Sequence, residues 1–127
     1  MGIVGHGIDL VEVARIERLL DEQGDRFLDR CFTPGERAYA DKSTKRRSEH
    51  LAARFAAKEA ALKAMGTGWA EGVGWTDVEV VRDGAGCPSL RVTGRAAELA
   101  AGRGITTWHV SLSHTETHAM ASVIAEA

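Results

Sequence analysis

The run from Lys45 to Met65 constrains the fold more than any other stretch of this chain. It is rich in alanine, and Leu51, Phe55, Leu62 and Met65 follow one another at spacings of 4, 7 and 3, which sets them on one helical face. Gly66-Thr67-Gly68 ends the pattern, since glycine both stops a helix and leaves backbone groups open to a flat ligand. The spacing therefore predicts one long helix whose small side chains let another backbone, or a ligand, come close.

The flanking segments read as shorter elements. Ile3 to Val11 is β-branched and punctuated by glycine, and reads as a strand. A helix from about Glu12 to Glu22 carries Val13, Ile16, Leu19 and Leu20 on one face and ends at Gly24. A short helix holds Phe27 and Leu28. Thr33-Pro34-Gly35-Glu36 combines a capping residue, a proline at the first helical position and a glutamate three residues after the cap, so a helix starts there and runs to about Ala40. Beyond the glycines the period becomes that of strands. Trp75 to Arg82 and Ser89 to Val92 flank a turn opened by Asp83-Gly84. A short helix follows Thr93. Thr106 to Ser113 and His118 to Ala125 form a last pair around Thr115-Glu116-Thr117. The expected class is α+β, a long helix and smaller helices packed on an antiparallel sheet. No linker or repeat divides the sequence, so residues 1–127 are expected to form a single domain.

Charge and cysteine content narrow the function classes. Sixteen Lys and Arg stand against 18 Asp and Glu, a net charge of −2, which argues against a chain coated for nucleic acid. Cys31 and Cys87 are far apart and suit neither a zinc knuckle nor a disulfide framework, so reduced thiols and a cytoplasmic location are expected. The opening residues lack a basic segment followed by an apolar run, and Ala119 to Ala125 is too short to span a bilayer, so no membrane partner is expected.

Within these bounds a few residues suggest chemistry. Asp9 ends an apolar strand just before a helix, where a carboxylate serves either as a cap or as a metal ligand. Glu59 and Lys63 are four apart on the long helix, the spacing of a surface ion pair, although the alanines and glycines around them suit a ligand site. From Lys42 to Lys63 seven Lys or Arg accompany two Glu, a local balance of +5. That is either a solvated face or a site for several phosphates. His114 lies at the mouth of a turn between hydroxyl residues, as a surface histidine or a donor to phosphate. Nucleophile-elbow, Walker and dinucleotide-glycine patterns are missing. Two acids able to hold Mg²⁺, several cations and a histidine fit phosphoryl-type transfer.

Four motifs in register extend this reading. Gly7-Ile8-Asp9-Leu10-Val11-Glu12, Phe32-Thr33-Pro34-Gly35-Glu36, the run Arg54 to Ala64 and Ser111-Leu112-Ser113-His114-Thr115 together resemble the holo-acyl-carrier-protein synthases. These are the short, single-domain type of 4′-phosphopantetheinyl transferase. The resemblance implies transfer of the phosphopantetheine arm of coenzyme A to a serine of apo-acyl carrier protein, with adenosine 3′,5′-bisphosphate as the second product. It implies that Asp9 and Glu59 are Mg²⁺ ligands and that Lys63 contacts the phosphates. Arg46 and His114 would hold coenzyme A phosphates, with Arg54, Gly66 and Gly68 as further candidates for the nucleotide pocket. Glu59, a water on the metal and Lys63 all stand as candidate bases. Arg15, Arg18, Arg26 and Arg30 would face an acidic carrier protein, with Phe27 and Phe55 as apolar contacts. A homotrimer with sites between adjacent subunits is implied as well. A coenzyme A or nucleotide-binding module without transferase activity is the alternative. The chain departs from the family pattern at His6 and Cys31, and Trp69 and Trp75 flank an unusually glycine-rich loop.

Overall fold

A computed structural model of the chain describes residues 2–69 and 72–127. Its elements are β1 (Ile3–Glu12), α1 (Val13–Gln23), α2 (Asp25–Cys31), α3 (Pro34–Asp41), α4 (Arg47–Met65), a 3₁₀ turn (Trp75–Asp77), β2 (Val78–Arg82), β3 (Pro88–Val92), α5 (Gly94–Gly102), β4 (Thr107–His114) and β5 (His118–Glu126). The class is α+β, as the sequence predicts. The antiparallel strands divide into two sheets: a three-stranded sheet of order β1–β5–β4, and the hairpin β2–β3. Trp75 to Asp77 is a turn rather than the start of a strand. Asp77 turns its carboxylate back to accept from the Gly74 N–H (3.2 Å) and reaches across to the Ala96 N–H (3.3 Å), which curls the chain there.

The long helix differs from expectation in one respect. Leu51, Phe55, Leu62 and Met65 are buried, but so are Ala52, Ala53, Ala56, Ala57, Ala60 and Ala61. A helix buried all round must have cover on every side. Here the three-stranded sheet lies on one side, while α1, α3 and β2 pack against the others.

Small residues make the sheet contact close. A Cβ on Gly5 would stand 1.9 Å from the carbonyl oxygen of Ala64, and one on Gly7 would stand 1.9 Å from that of Ala60. The neighbouring strand β5 contributes Ala119, Ala121, Val123 and Ala125, all buried. Successive side chains of a strand alternate between faces. Gly5 and Gly7 face the helix, so Asp9 and Val11 face it too, while His6, Ile8 and Leu10 point outward. Asp9 pairs with Ala121 and Val11 with Ala119, which keeps this register in step with β5.

On the opposite side a buried ion pair fastens α4 to α3 and β2. Thr33 caps α3 in a capping box with Glu36: its hydroxyl accepts from the Glu36 N–H, and a Glu36 carboxylate oxygen accepts from the Thr33 N–H. That same oxygen, Oε1, accepts from Lys58 Nζ at 2.8 Å, and Oε2 accepts from the Val80 N–H at 2.8 Å. Lys58 also donates to the carbonyls of Trp75 and Val78. Both side chains are fully buried, and desolvation pushes the Lys58 ammonium toward a lower pKa against the opposing pull of Glu36.

Candidate functional site

The strand–helix contact brings Asp9 to Lys63. Lys63 Nζ donates to Asp9 Oδ1 at 3.1 Å and to the Ile8 carbonyl at 3.0 Å. Asp9 is not the cap of α1. The strand continues to Glu12, which occupies the cap position and caps nothing with its side chain. Asp9 and Lys63 line a shallow depression together with Ile8, Leu10 and Met120. Glu59 is one turn before Lys63, which puts both on one face of α4. The Glu59 carboxylate accepts from the indole N–H of Trp69 at 3.2 Å.

Gly66 ends α4 in the left-handed conformation (φ 75°, ψ 14°) and donates to the carbonyls of Leu62 and Lys63. Gly68 repeats the left-handed turn at φ 63°. Both glycines thus shape the exit from the Glu59–Lys63 turn. Arg103, which no sequence motif marks, places its guanidinium 3.2 Å from where a Gly66 Cβ would be.

A second group of candidates lies at the other end of α4. Arg46 and His114 line a cavity of about 240 Å³ with Lys45, Glu49, Thr115 and Glu116. His114 is oriented by Glu49, whose Oε1 lies 2.8 Å from its Nδ1. The ring of His114 meets that of His50 edge-on at 5.3 Å, and His50 meets Tyr39 at 5.2 Å. Burial pushes the His50 pKa down, and the Arg54 charge adds to this.

Arg54 belongs to this end. Its guanidinium lies 4.0 Å over the Tyr39 ring and donates to the His50 carbonyl. Its buried Nε has no hydrogen-bond partner among the described residues. Burial lowers its pKa, and Arg82 beside it adds repulsion. Tyr39, Lys42, Arg54 and Arg82 line one cavity of about 290 Å³.

The run of cations from Lys42 to Lys63 is therefore not one phosphate face. Lys58 is buried against Glu36, Arg47 pairs with Asp41 at 2.8 Å, and Lys63 pairs with Asp9. Two carrier contacts also need correction. Phe27 is 0% exposed and Phe55 3%, because both rings fill the core, 6.3 Å apart. Arg15, Arg18, Arg26 and Arg30 are exposed on α1 and α2, and Arg15 lies 5.2 Å above the Phe55 ring.

Among the described residues no group of three or more His, Cys, Asp or Glu side chains converges as a metal cage. Asp9 and Glu59 offer two carboxylates, and that donor set fits Mg²⁺, which keeps waters and takes substrate phosphate oxygens. It does not fit a closed zinc site.

Comparison with known proteins identifies the family. A family described as the 4′-phosphopantetheinyl transferase superfamily matches residues 5–123, and the chain belongs to it. Within that superfamily, a holo-[acyl-carrier-protein] synthase of Koribacter versatilis is 52% identical over 124 residues, covering 98% of each chain. The crystal structure of the Neisseria meningitidis holo-[acyl-carrier-protein] synthase superposes with a TM-score of 0.88 at 34% identity, covering 98% of this chain and 99% of that one. The Bacillus anthracis synthase in complex with CoA (3′,5′-ADP) has a TM-score of 0.81 at 38% identity, covering 100% of this chain and 99% of that one.

Proposed function

We infer that the chain transfers the 4′-phosphopantetheine group of coenzyme A to a serine hydroxyl of apo-acyl carrier protein, as a holo-acyl-carrier-protein synthase. The observation that carries this reading is the Asp9–Lys63 pair, with Glu59 one turn away, in a chain that aligns with such a synthase along nearly its whole length. The serine oxygen attacks the phosphorus bearing the pantetheine arm and gives up its proton to a base at the site, the bond from that phosphorus to the nucleotide side breaks, and adenosine 3′,5′-bisphosphate leaves. Lys63 holds its ammonium where charge develops on the leaving phosphate. Asp9 and Glu59 hold Mg²⁺, which supplies charge neutralisation at the pyrophosphate when bound. Arg46, Arg54 and His114 hold phosphates of coenzyme A, and Gly66 and Gly68 border the nucleotide.

Residues 1–127 act as one domain, and the site forms between subunits of a homotrimer. Two observations support this. Arg46 and Lys63 are at opposite ends of α4, about 25 Å apart along its axis at 1.5 Å per residue, so one chain does not bring them together. The exposed side of β1 is also largely apolar, with Ile3 68%, Ile8 50% and Leu10 66% exposed around His6, and it continues into the Asp9–Lys63 depression. Such patches mark association surfaces. Arg15, Arg18, Arg26 and Arg30 form the surface for an acidic carrier, where charge complementarity raises the association rate.

No helix among the described residues is long and apolar enough to cross a membrane. Cys31 and Cys87 are unpaired, which suits the reducing cytoplasm.

Intact mass of an apo carrier protein, incubated with the chain, coenzyme A and Mg²⁺, tests the reading. A gain of one phosphopantetheine mass is expected. No gain on any carrier, with coenzyme A still bound, would instead establish a binding module without transferase activity. Native mass spectrometry is expected to return three copies, and a monomer that transfers at full rate would remove the shared-site arrangement.

A further inference from the structure

We propose that Trp69 is a positioning residue for Glu59: its indole N–H holds Oε2 of the carboxylate and so fixes the orientation in which Glu59 would meet a cation. This rests on the reading of Glu59 as a ligand. The Trp69 Nε1–H donates to Glu59 Oε2 at 3.2 Å. Indole nitrogen is a donor only, so the contact engages the carboxylate as an acceptor and cannot compete for the metal.

The backbone explains how residue 69 returns to residue 59. Gly66 and Gly68 both adopt positive φ, which turns the chain back along the end of α4. The indole is then held from its other side. Trp69 stacks on Trp75 with centroids 3.9 Å apart, and Trp75 stacks on Phe55 at 4.7 Å. Phe55 is buried on α4 one turn before Glu59. Donor and acceptor are thus fixed to the same stretch of helix, one through the aromatic stack and the other directly. The Trp75 carbonyl is itself tied to Lys58 Nζ at 3.2 Å. A partly exposed glutamate such as Glu59 would otherwise sample several rotamers, and this clamp restricts them. Hydrogen bonds of this kind to metal-ligating carboxylates orient the ligand and raise its affinity for the metal.

Trp69→Phe separates the two roles, since it keeps the stack and loses the donor. Mn²⁺ binding to the full chain, read by electron paramagnetic resonance, should weaken about tenfold in W69F, while the melting temperature and the carrier KM stay within about twofold of wild type. The Mg²⁺ concentration for half-maximal transfer should rise in parallel. Trp69→His, which retains a ring N–H, should recover part of the affinity. In a Glu59→Gln background W69F should change Mn²⁺ binding no further. Unchanged Mn²⁺ affinity in W69F would overturn the proposal, as would a lowered melting temperature with all constants falling together. Wild-type chain that neither binds Mn²⁺ nor transfers would overturn the reading of Glu59 itself.

Discussion

Gly7 lies so close to Ala60 that a Cβ on the glycine would stand 1.9 Å from the alanine's carbonyl oxygen. Both partners of that clash are backbone or rigidly attached to it, so neither yields by a rotamer change. Space, not conformation, requires the glycine here. Gly7→Ala should therefore push β1 off α4 and destabilise the chain by about 3 kcal/mol or more, at or beyond the upper end of ordinary overpacking. Asp9 is two residues further along the same face and should lose its contact with Lys63. Urea denaturation of the variant checks this, and a loss under about 1 kcal/mol would refute so close a contact.

That contact illustrates what the sequence carries and what it leaves out. The alanines of α4 announce close approach, but not that the approaching backbone belongs to β1. Periodicity marks Leu51, Phe55, Leu62 and Met65 as one face, yet says nothing of cover on the alanine side, which comes from elements distant in sequence. The capping box at Thr33 is legible because it is local. Its second use is not, since the partner of Glu36 is Lys58, 22 residues on. A lysine on an alanine-rich helix reads as solvated, and only three-dimensional packing buries it. Phe27 and Phe55 mislead in the opposite sense, because the resemblance offers them as surface contacts where the core takes both rings. Trp69 is visible as an oddity and Glu59 as a candidate ligand, while the hydrogen bond between them is not.

The Glu36–Lys58 pair makes a prediction of its own. Each member satisfies buried groups of the other and of β2, so removing one leaves a charge without a partner. Lys58→Met and Glu36→Gln should each cost about 3–5 kcal/mol, whereas the double variant should cost clearly less than their sum. Denaturation of all four species measures the coupling. Additive losses would mean that the two charges do not depend on one another.

His50 predicts a pH dependence. Burial first, and then the charge of Arg54, hold its folded pKa below the ordinary value of about 6.5. The unfolded chain therefore binds the proton more readily, and stability rises with pH wherever that difference operates. The His50 contribution is complete above about pH 6.5 and is lost as the pH falls from there toward the lower folded value. His50→Phe keeps an aromatic ring between Tyr39 and His114 and removes the titration. The fall in melting temperature between pH 7.5 and pH 5.5 should thus be smaller in H50F than in wild type, to a degree set by this one group. An equal or larger fall in H50F would show that His50 does not titrate in this way.

Lys63 presents the sharpest case, because its ammonium lies at the carboxylate where a divalent cation would bind. Nζ is 3.1 Å from Asp9 Oδ1, and the lysine side chain is more than half exposed. A pair of that exposure is worth at most about 1 kcal/mol, so a cation displacing the ammonium gives up no more than about fivefold in affinity. Lys63→Met removes the competitor. In the role proposed for Lys63 it also removes the positive charge offered to the leaving phosphate, a loss of the kind that costs about 100-fold or more in turnover. The two measurements should therefore move in opposite directions: Mn²⁺ affinity by calorimetric titration equal to or up to about fivefold tighter than wild type, and kcat about 100-fold lower. Asp9→Asn, by contrast, should weaken Mn²⁺ binding and lower kcat together, since in the proposed site it discharges the carboxylate that both cations would use. Weaker Mn²⁺ binding in the Lys63→Met variant would mean that the ammonium supports the cation site rather than competing for it. Turnover within about threefold of wild type would remove Lys63 from the transfer step.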